Sequence, residues 1–237
     1  MIKVDQPTIF KGKIIAAVSS KKDGAMKVSG APKERHQQIH QNREHFLKQN
    51  NITPDQTALV RMTYDSDSFA RYDVIDKVVS ENGNIDNHHP HDGLVTCQKN
   101  IALFLPIADC IGTILYDPKK QVLMVSHLGR HNLEQFGAKQ SVEYMVQKFD
   151  VNPKDILVWM SPAAGKENYP LYAFDHKSLH EVSLEQFQEA GILKENIESS
   201  RIDTTKSDDY HSFSQFLKGN KNEEEFGRFA VVAMMPA

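Results

Sequence analysis

The sequence lacks the features that mark membrane, secreted or nucleic-acid-binding proteins. Its apolar runs are short and interrupted by polar residues, so we expect no membrane-spanning segment and no membrane partner. The N-terminal residues lack the apolar core of a signal peptide, and the chain has two cysteines, Cys97 and Cys110. These features predict a cytoplasmic protein with free thiols. A net charge of −3 gives no basic excess, so we expect no nucleic-acid partner.

The chain also lacks internal repeats and low-complexity linkers that would divide it. Its 237 residues, of which 40% are apolar and 25% are charged, are enough to bury a core without disulfide bonds. We therefore expect one domain over residues 1–237.

Helix and strand patterns follow one another in mixed order. The predicted helices cover residues 34–49, 133–149 and 179–190, and the predicted strands cover residues 14–18, 58–63, 101–105, 111–116, 122–126, 156–160 and 229–235. Some strands lie singly between helices, whereas 111–116 and 122–126 have the spacing of a hairpin. This mixture predicts an α+β fold with mixed sheets rather than a doubly wound parallel sheet.

One cysteine and one histidine lie at the ends of adjacent predicted strands. Cys110 follows Asp109 and precedes the strand 111–116, and His127 directly follows the next strand, 122–126. An antiparallel hairpin would bring the two side chains close together. Thiolate and imidazole are zinc ligands, and they also form nucleophile–base pairs. The spacing leaves both roles open, and a buried structural role is the third interpretation.

Other segments contain residues suited to a binding site. His88, His89 and His91 have the density of a metal-binding tract, although a solvated loop is the simpler interpretation. Residues 161–165 form a loop of small residues after a predicted strand, where backbone can approach a ligand closely. Residues 210–214 and 227–230 are placed so that they could close a pocket near the C-terminus.

Taken together, these segments resemble the YfiH-like family, also called the multicopper polyphenol oxidase or laccase-domain family, which includes the purine nucleoside phosphorylase FAMIN. Residues 92–96 resemble its D-A-L-[VI]-T motif, Ala108-Asp109-Cys110 matches T-A-D-C, and His127-Leu128-Gly129 resembles H-A-G. Further matches are the Asp117-Pro118 turn, the Asn42-Arg43 pair, residues 161–165 for G-P-x-I-G and residues 227–230 for G-R-x-A. Their shared order covers nearly the whole chain.

The resemblance implies a four-layer α/β/β/α fold with mixed sheets. It also implies a zinc ion held by two histidines and one cysteine, for which Cys110 and His127 match two of the three ligands. The implied substrates are a purine nucleoside and phosphate, and the implied reactions are phosphorolysis and, in some members, adenosine deamination. Zinc is expected rather than copper, because the sequence lacks the several histidine pairs of a multicopper cluster.

The chain departs from the family pattern at the expected site. Thr63 stands where the family has its other zinc histidine, Arg130 and His131 replace a tryptophan and an arginine, and Lys21 replaces an arginine. We therefore expect His88, His89 or His91 to supply the third ligand, the activity to be weak, and Thr63→His to raise zinc affinity and activity together. The expected catalytic residues are Cys110, His127 and Asp109, and the expected substrate-binding residues are Lys21, Arg61, Thr63, Arg130, Ser161, Gly165 and Arg228.

Two alternatives keep the fold and change the function. In the first, Cys110 is the nucleophile and His127 the base of a metal-free cysteine hydrolase. In the second, the chain is a non-catalytic relative that binds a nucleoside or a partner protein, which the missing histidine favours.

Overall fold

Ten strands form two mixed sheets in the computed structural model, which describes residues 5–64, 67–78, 90–219 and 226–237. The first sheet has the order β1–β10–β5–β2, with β1 at Ile15–Val18, β2 at Thr57–Leu59, β5 at Ala102–Ile107 and β10 at Phe229–Met234. Strand β2 runs parallel to β5, and the other pairs are antiparallel. The sheet is therefore mixed, as the order of sequence patterns predicts.

The second sheet carries the hairpin that the sequence predicts. Its order is β3–β4–β7–β6–β8–β9, with β3 at Tyr72–Val74, β4 at Gly93–Thr96, β6 at Ile111–Asp117, β7 at Val122–Leu128, β8 at Leu157–Met160 and β9 at Ile197–Ser199. The two outer pairs, β3–β4 and β8–β9, are parallel, and the inner pairs are antiparallel. Every residue of β4, β6 and β7 is buried, because both faces of this sheet are covered.

Five helices lie in the described ranges, at His36–Gln49 (α1), Arg130–Glu134 (α2), Gly137–Phe149 (α3), Leu179–Glu189 (α4) and Phe213–Leu217 (α5). The longest, α1, has 14 residues. No helix among the described residues is both long and apolar enough to span a bilayer.

Three apolar clusters define the order of the layers. Leu105 and Val231 of the first sheet pack with Ile114 and Val125 of the second, which places one core between the sheets. The outer face of the first sheet packs against α1, where Phe46 belongs to the same cluster as Phe104, Leu59 and Val232. The outer face of the second sheet packs against α2, α3 and α4. The layers are therefore α/β/β/α, and the predicted α+β class is confirmed.

The predicted helix 133–149 is interrupted, which corrects the sequence interpretation. Helix α2 ends at Glu134 and α3 begins at Gly137, with Phe136 between them in the left-handed region at φ 58°. The buried side chain of Asn132 fills the space that a Cβ atom on residue 137 would need. The Asn132 side chain therefore leaves no room for a Cβ atom at residue 137, and the left-handed Phe136 interrupts a pattern that is helical by periodicity.

Candidate active site

The β6–β7 hairpin brings Cys110 and His127 to one point. Gly112 of β6 pairs with His127 of β7, and Cys110 immediately precedes β6. A Cβ atom built on Gly129 would lie 2.8 Å from Cys110 Sγ and 2.8 Å from His127 Nε2. The two side chains thus flank the same glycine, as the hairpin spacing predicts. Their chemical roles stay predictions.

His127 is buried against a carboxylate. Its residue surface is 4% exposed, its Nδ1 lies 3.8 Å from Asp92 Oδ1, and its backbone N–H donates to the Asp92 carbonyl at 2.7 Å. Among the described residues, neither ring nitrogen has a partner within hydrogen-bond distance. Burial alone would lower the pKa of His127, but the Cys110 sulfur and the Asp92 carboxylate raise it to about 9. A cationic imidazole beside a sulfur atom is therefore favoured at neutral pH.

Asp92 is in turn held by Arg71. Arg71 Nε lies 2.9 Å from Asp92 Oδ2, and the carboxylate side chain is 2% exposed. Burial opposes ionisation, but the neighbouring His127 and Arg71 together hold the pKa of Asp92 below its usual value. The carboxylate is therefore ionised where it faces the imidazole. Sequence reasoning noted Asp92 as part of a motif without assigning it a role, and it missed Arg71.

Cys110 and His127 open onto a cavity of about 270 Å³. The wall combines apolar side chains with the two cations Lys27 and Arg228 and the two phenols Tyr64 and Tyr169. Its other residues are Met62, Ile107, Ala108, Asp109, Cys110, His127, Phe213, Ser214 and Leu217. The predicted closing segments near the C-terminus do reach this wall, through Phe213, Ser214 and Arg228.

Two partly buried cations give the cavity a positive wall. The Arg228 guanidinium lies 4.2 Å from the ring centroid of Phe213 and donates to the Gly227 carbonyl at 2.8 Å, which fixes its plane. Burial and the nearby Arg228 lower the pKa of Lys27. Such a pair of desolvated cations suits an anionic ligand. Sequence reasoning identified Arg228 but missed Lys27, which lies in a loop without a motif.

Two phenols, Tyr64 and Tyr169, complete the polar part of the wall. The Cys110 sulfur is the main cause that raises the pKa of Tyr64, whose surface is 61% exposed. Burial, followed by the same sulfur, raises the pKa of Tyr169 to about 12. Both phenols therefore remain protonated and can act as hydrogen-bond donors. The Tyr64 ring also contacts Phe69 and His131, which stack on each other with centroids 4.9 Å apart.

Asp109 lines the cavity, but its carboxylate is bonded to the surrounding fold. It is 5% exposed and has a left-handed backbone conformation at φ 69°. Its Oδ1 accepts from Thr204 Oγ1 at 2.9 Å, and its Oδ2 accepts from the Ser214 backbone N–H at 2.6 Å. We therefore interpret Asp109 as an anchor of the cavity wall rather than as an acid or base.

Several residues that the sequence assigns to substrate binding are not brought to the cavity. In the segment after β2, Met62 and Tyr64 face the cavity, whereas Arg61 and Thr63 are absent from its wall. Arg130 is exposed, with Nη2 at 3.2 Å from His131 Nε2. The side chains of an extended segment alternate in direction, so the position of a motif does not tell which of its residues face inward.

Three further candidates have structural partners elsewhere. Ser161 Oγ accepts from the Gly112 N–H at 2.9 Å and donates to the Pro162 carbonyl at 2.9 Å. The Gly165 N–H donates to Asp203 Oδ1 at 2.9 Å. Lys21 donates its backbone N–H to the Asp209 carbonyl at 2.8 Å, and its side chain is not part of the cavity wall. These residues support the loops around the cavity instead of lining it.

The described residues do not complete the expected zinc site. His91 Nε2 lies 3.4 Å from Asp73 Oδ2 on β3, away from the cavity wall, and His88 and His89 lie outside the described residues. In the described ranges, no three His, Cys, Asp or Glu side chains are grouped so that they could hold a metal ion. Cys110 and His127 are two donors, and a catalytic zinc takes three protein ligands. The described donor set therefore does not fit a catalytic zinc.

Sequence comparisons relate the chain to purine nucleoside phosphorylases. The family model described as multi-copper polyphenol oxidoreductase laccase matches residues 15–175. The purine nucleoside phosphorylase YlmD of Bacillus subtilis is 36% identical over 73 residues, which cover 30% of this chain and 26% of that protein. The purine nucleoside phosphorylase LACC1 of Mus musculus is 26% identical over 133 residues, which cover 48% of this chain and 31% of that protein. The chain thus spans less than a third of each of these relatives.

Solved structures share the fold over nearly the whole chain. YlmD from Geobacillus stearothermophilus matches with a TM-score of 0.81 at 17% identity, covering 98% of this chain and 94% of that chain. The hypothetical protein YfiH of Bacillus licheniformis matches with a TM-score of 0.76 at 19% identity, covering 94% of this chain and 92% of that chain. These matches confirm the predicted fold.

Proposed function

Because the chain belongs to the multi-copper polyphenol oxidoreductase laccase family, we propose that it is a purine nucleoside phosphorylase-like enzyme whose site is the Cys110–His127 cavity. Its distant relatives in sequence are purine nucleoside phosphorylases. One observation supports the proposal most: the partly buried cations Lys27 and Arg228 line the same cavity as Cys110 and His127. An anion and a proton donor can therefore meet in one enclosed space.

In the proposed reaction, a phosphate oxygen bonds to C1′ of the nucleoside, and the bond from C1′ to the purine nitrogen breaks. The purine leaves with the electron pair of that bond and needs a proton. We assign this proton to a protonated His127, which lines the cavity. Lys27 and Arg228 hold the phosphate, and the rings of Tyr64, Tyr169 and Phe213 give the purine an apolar wall.

The family resemblance also implies that the reaction depends on zinc and that adenosine is deaminated. Zinc is not assigned a step here, because the described residues offer two donors at the cavity. Deamination exchanges the purine amino group for oxygen, and no contact of the described residues favours it over phosphorolysis. Adenosine distinguishes the reactions, since phosphorolysis yields adenine and deamination yields inosine.

Inosine and adenosine turnover, measured with and without phosphate, tests the proposal. We expect slow, phosphate-dependent release of the free base, and we expect Cys110→Ser and His127→Asn to lose most of it.

Lys27→Met should raise the KM for phosphate by roughly tenfold, because one charge-assisted contact is worth about 1.5–3 kcal/mol. Lys22→Met, which changes an exposed lysine of the same segment, is the matched control. Base release that does not need phosphate contradicts phosphorolysis, and no turnover of either nucleoside favours a non-catalytic relative.

A cysteine hydrolase is the second candidate, because His127 lies between a thiol and a carboxylate. This order of groups is that of a nucleophile, a base and an orienting acid. It predicts that iodoacetamide modifies Cys110 before the exposed Cys97 at neutral pH, and that His127→Asn removes this preference. Peptide mass spectrometry after short exposure measures both sites in one sample. Faster modification of Cys97 in the wild type contradicts the candidate.

A further inference from the structure

Arg71 contacts two separate parts of the candidate site. Its Nε lies 2.9 Å from Asp92 Oδ2, and its backbone N–H donates to the same oxygen at 3.3 Å. Its Nη2 donates to the Thr63 carbonyl at 3.1 Å. The residue that follows Thr63, Tyr64, lines the cavity. One side chain therefore joins the carboxylate behind His127 to the segment that forms the cavity wall.

The backbone around this contact is fixed on both sides. The N–H groups of Asp92 and Gly93 donate to the Arg71 carbonyl at 2.7 and 3.1 Å, and the His127 N–H donates to the Asp92 carbonyl at 2.7 Å. Residues 71 and 92, which immediately precede β3 and β4, and residue 127 of β7 are thus joined in series by backbone hydrogen bonds. Because Arg71 occupies Oδ2 of Asp92, Oδ1 is the oxygen that faces His127 Nδ1, at 3.8 Å.

We propose that Arg71 is a positioning residue for the reaction at the cavity. It holds the Asp92 carboxylate in a fixed orientation. That carboxylate in turn keeps Nδ1 of His127 directed towards Asp92 and Nε2 on the side of Cys110. Groups that orient an imidazole through a carboxylate commonly change activity by about 10- to 100-fold when they are removed. The reaction itself rests on the proposed function, whereas the orientation of His127 does not.

Arginine suits this place better than lysine for a geometric reason. The planar guanidinium offers donors in several fixed directions, so one side chain reaches both the carboxylate and the Thr63 carbonyl. A lysine can keep the charge opposite Asp92 but has one nitrogen. The alternative is that Arg71 stabilises the fold alone, as a buried ion pair can.

The test compares Arg71→Met, Arg71→Lys and Arg71→Gln with the wild type, and Arg201→Met is the control at an exposed arginine. We expect Arg71→Met to lower kcat for inosine phosphorolysis by about 10- to 100-fold with little change in KM. Arg71→Lys should recover most of kcat, because it restores the charge opposite Asp92. The second readout is the proton NMR signal of the His127 ring Cε1–H at its wild-type chemical shift, assigned by its loss in His127→Asn. We expect this signal in the wild type and Arg71→Lys, and its loss from that position in Arg71→Met.

The two readouts separate the possible outcomes. If the wild type does not phosphorolyse nucleosides, the proposed function fails, and the NMR signal alone decides the role of Arg71. Arg71→Met with an unchanged signal overturns the inference, whatever happens to kcat, because the imidazole has kept its orientation. Loss of the signal with unchanged kcat also overturns it. If Arg71→Met does not fold, Arg71→Gln, which keeps a donor without the charge, is judged by the same criteria.

Discussion

The Tyr64→His variant should bind about one zinc ion per chain, whereas Thr63→His should bind no more than the wild type. Tyr64 lines the cavity with Cys110 and His127, and the Cys110 sulfur is the largest influence on its phenol. We therefore expect an imidazole at position 64 to supply a third donor beside Cys110 and His127. The Thr63 side chain is not part of that wall, so we expect a histidine there to lie too far from Cys110 and His127 to share a metal ion with them. We therefore expect the substitution that completes a zinc site to lie at residue 64 rather than at residue 63, which the family motif indicates.

Zinc per chain is measured by inductively coupled plasma mass spectrometry after gel filtration with a competing chelator. Tyr64→His/Cys110→Ser is the control and should lose the bound zinc, because a donor is removed again. Equal zinc content in Thr63→His and Tyr64→His contradicts the assigned direction of the two side chains. About one zinc ion in the wild type contradicts the two-donor description and directs attention to His88 and His89, outside the described residues.

The α+β class was predictable from periodic and local signals, whereas the four-layer arrangement was implied by the family resemblance and the short strands β3, β4 and β9 were not predicted. Apolar runs at 111–116 and 122–126, joined by a short polar turn, predict a hairpin, and the observed strands are Ile111–Asp117 and Val122–Leu128. Hairpin geometry then sets the register, so the pairing of Gly112 with His127 and the closeness of Cys110 follow from the strand lengths. The meeting of Cys110 and His127 was therefore predictable from the residues.

Other parts of the site depend on contacts between distant segments, which no local pattern encodes. Arg71 and Asp92 are 21 residues apart, and Arg71 immediately precedes β3, a strand of three residues that is too short to give a periodic signal. Tyr64 rather than Thr63 lines the cavity because of the orientation of the segment after β2, and the sequence motif does not specify that orientation. At the break near Phe136, Asn132 fills the space beside Gly137 while its Nδ2–H donates to the carbonyl of the distant Phe69.

Gly129→Ala should inactivate the site while leaving the fold intact. Gly129 has φ −122° and ψ −180°, a conformation that alanine adopts without backbone strain. The cost is therefore steric, because the new Cβ would lie 2.8 Å from Cys110 Sγ and from His127 Nε2. Overpacking of this kind costs about 1–3 kcal/mol in the free energy of unfolding. Misplacement of reacting groups by about 1 Å is enough to lower kcat by about a hundredfold.

Gly112→Ala separates loss of packing from loss of the site. Its Cβ would lie 2.7 Å from Val231 Cγ2, so the conflict is of similar size but lies in the core between the sheets. Urea unfolding should show comparable destabilisation of both variants, and inosine phosphorolysis should fall far more in Gly129→Ala. The double variant Gly129→Ala/Cys110→Ala removes the sulfur contact but keeps the contact with His127, so it should regain part of the stability and none of the activity. Since Gly129 itself carries no reactive group, normal kcat in Gly129→Ala would mean that the contact of Cys110 with His127 is not where the chemistry occurs.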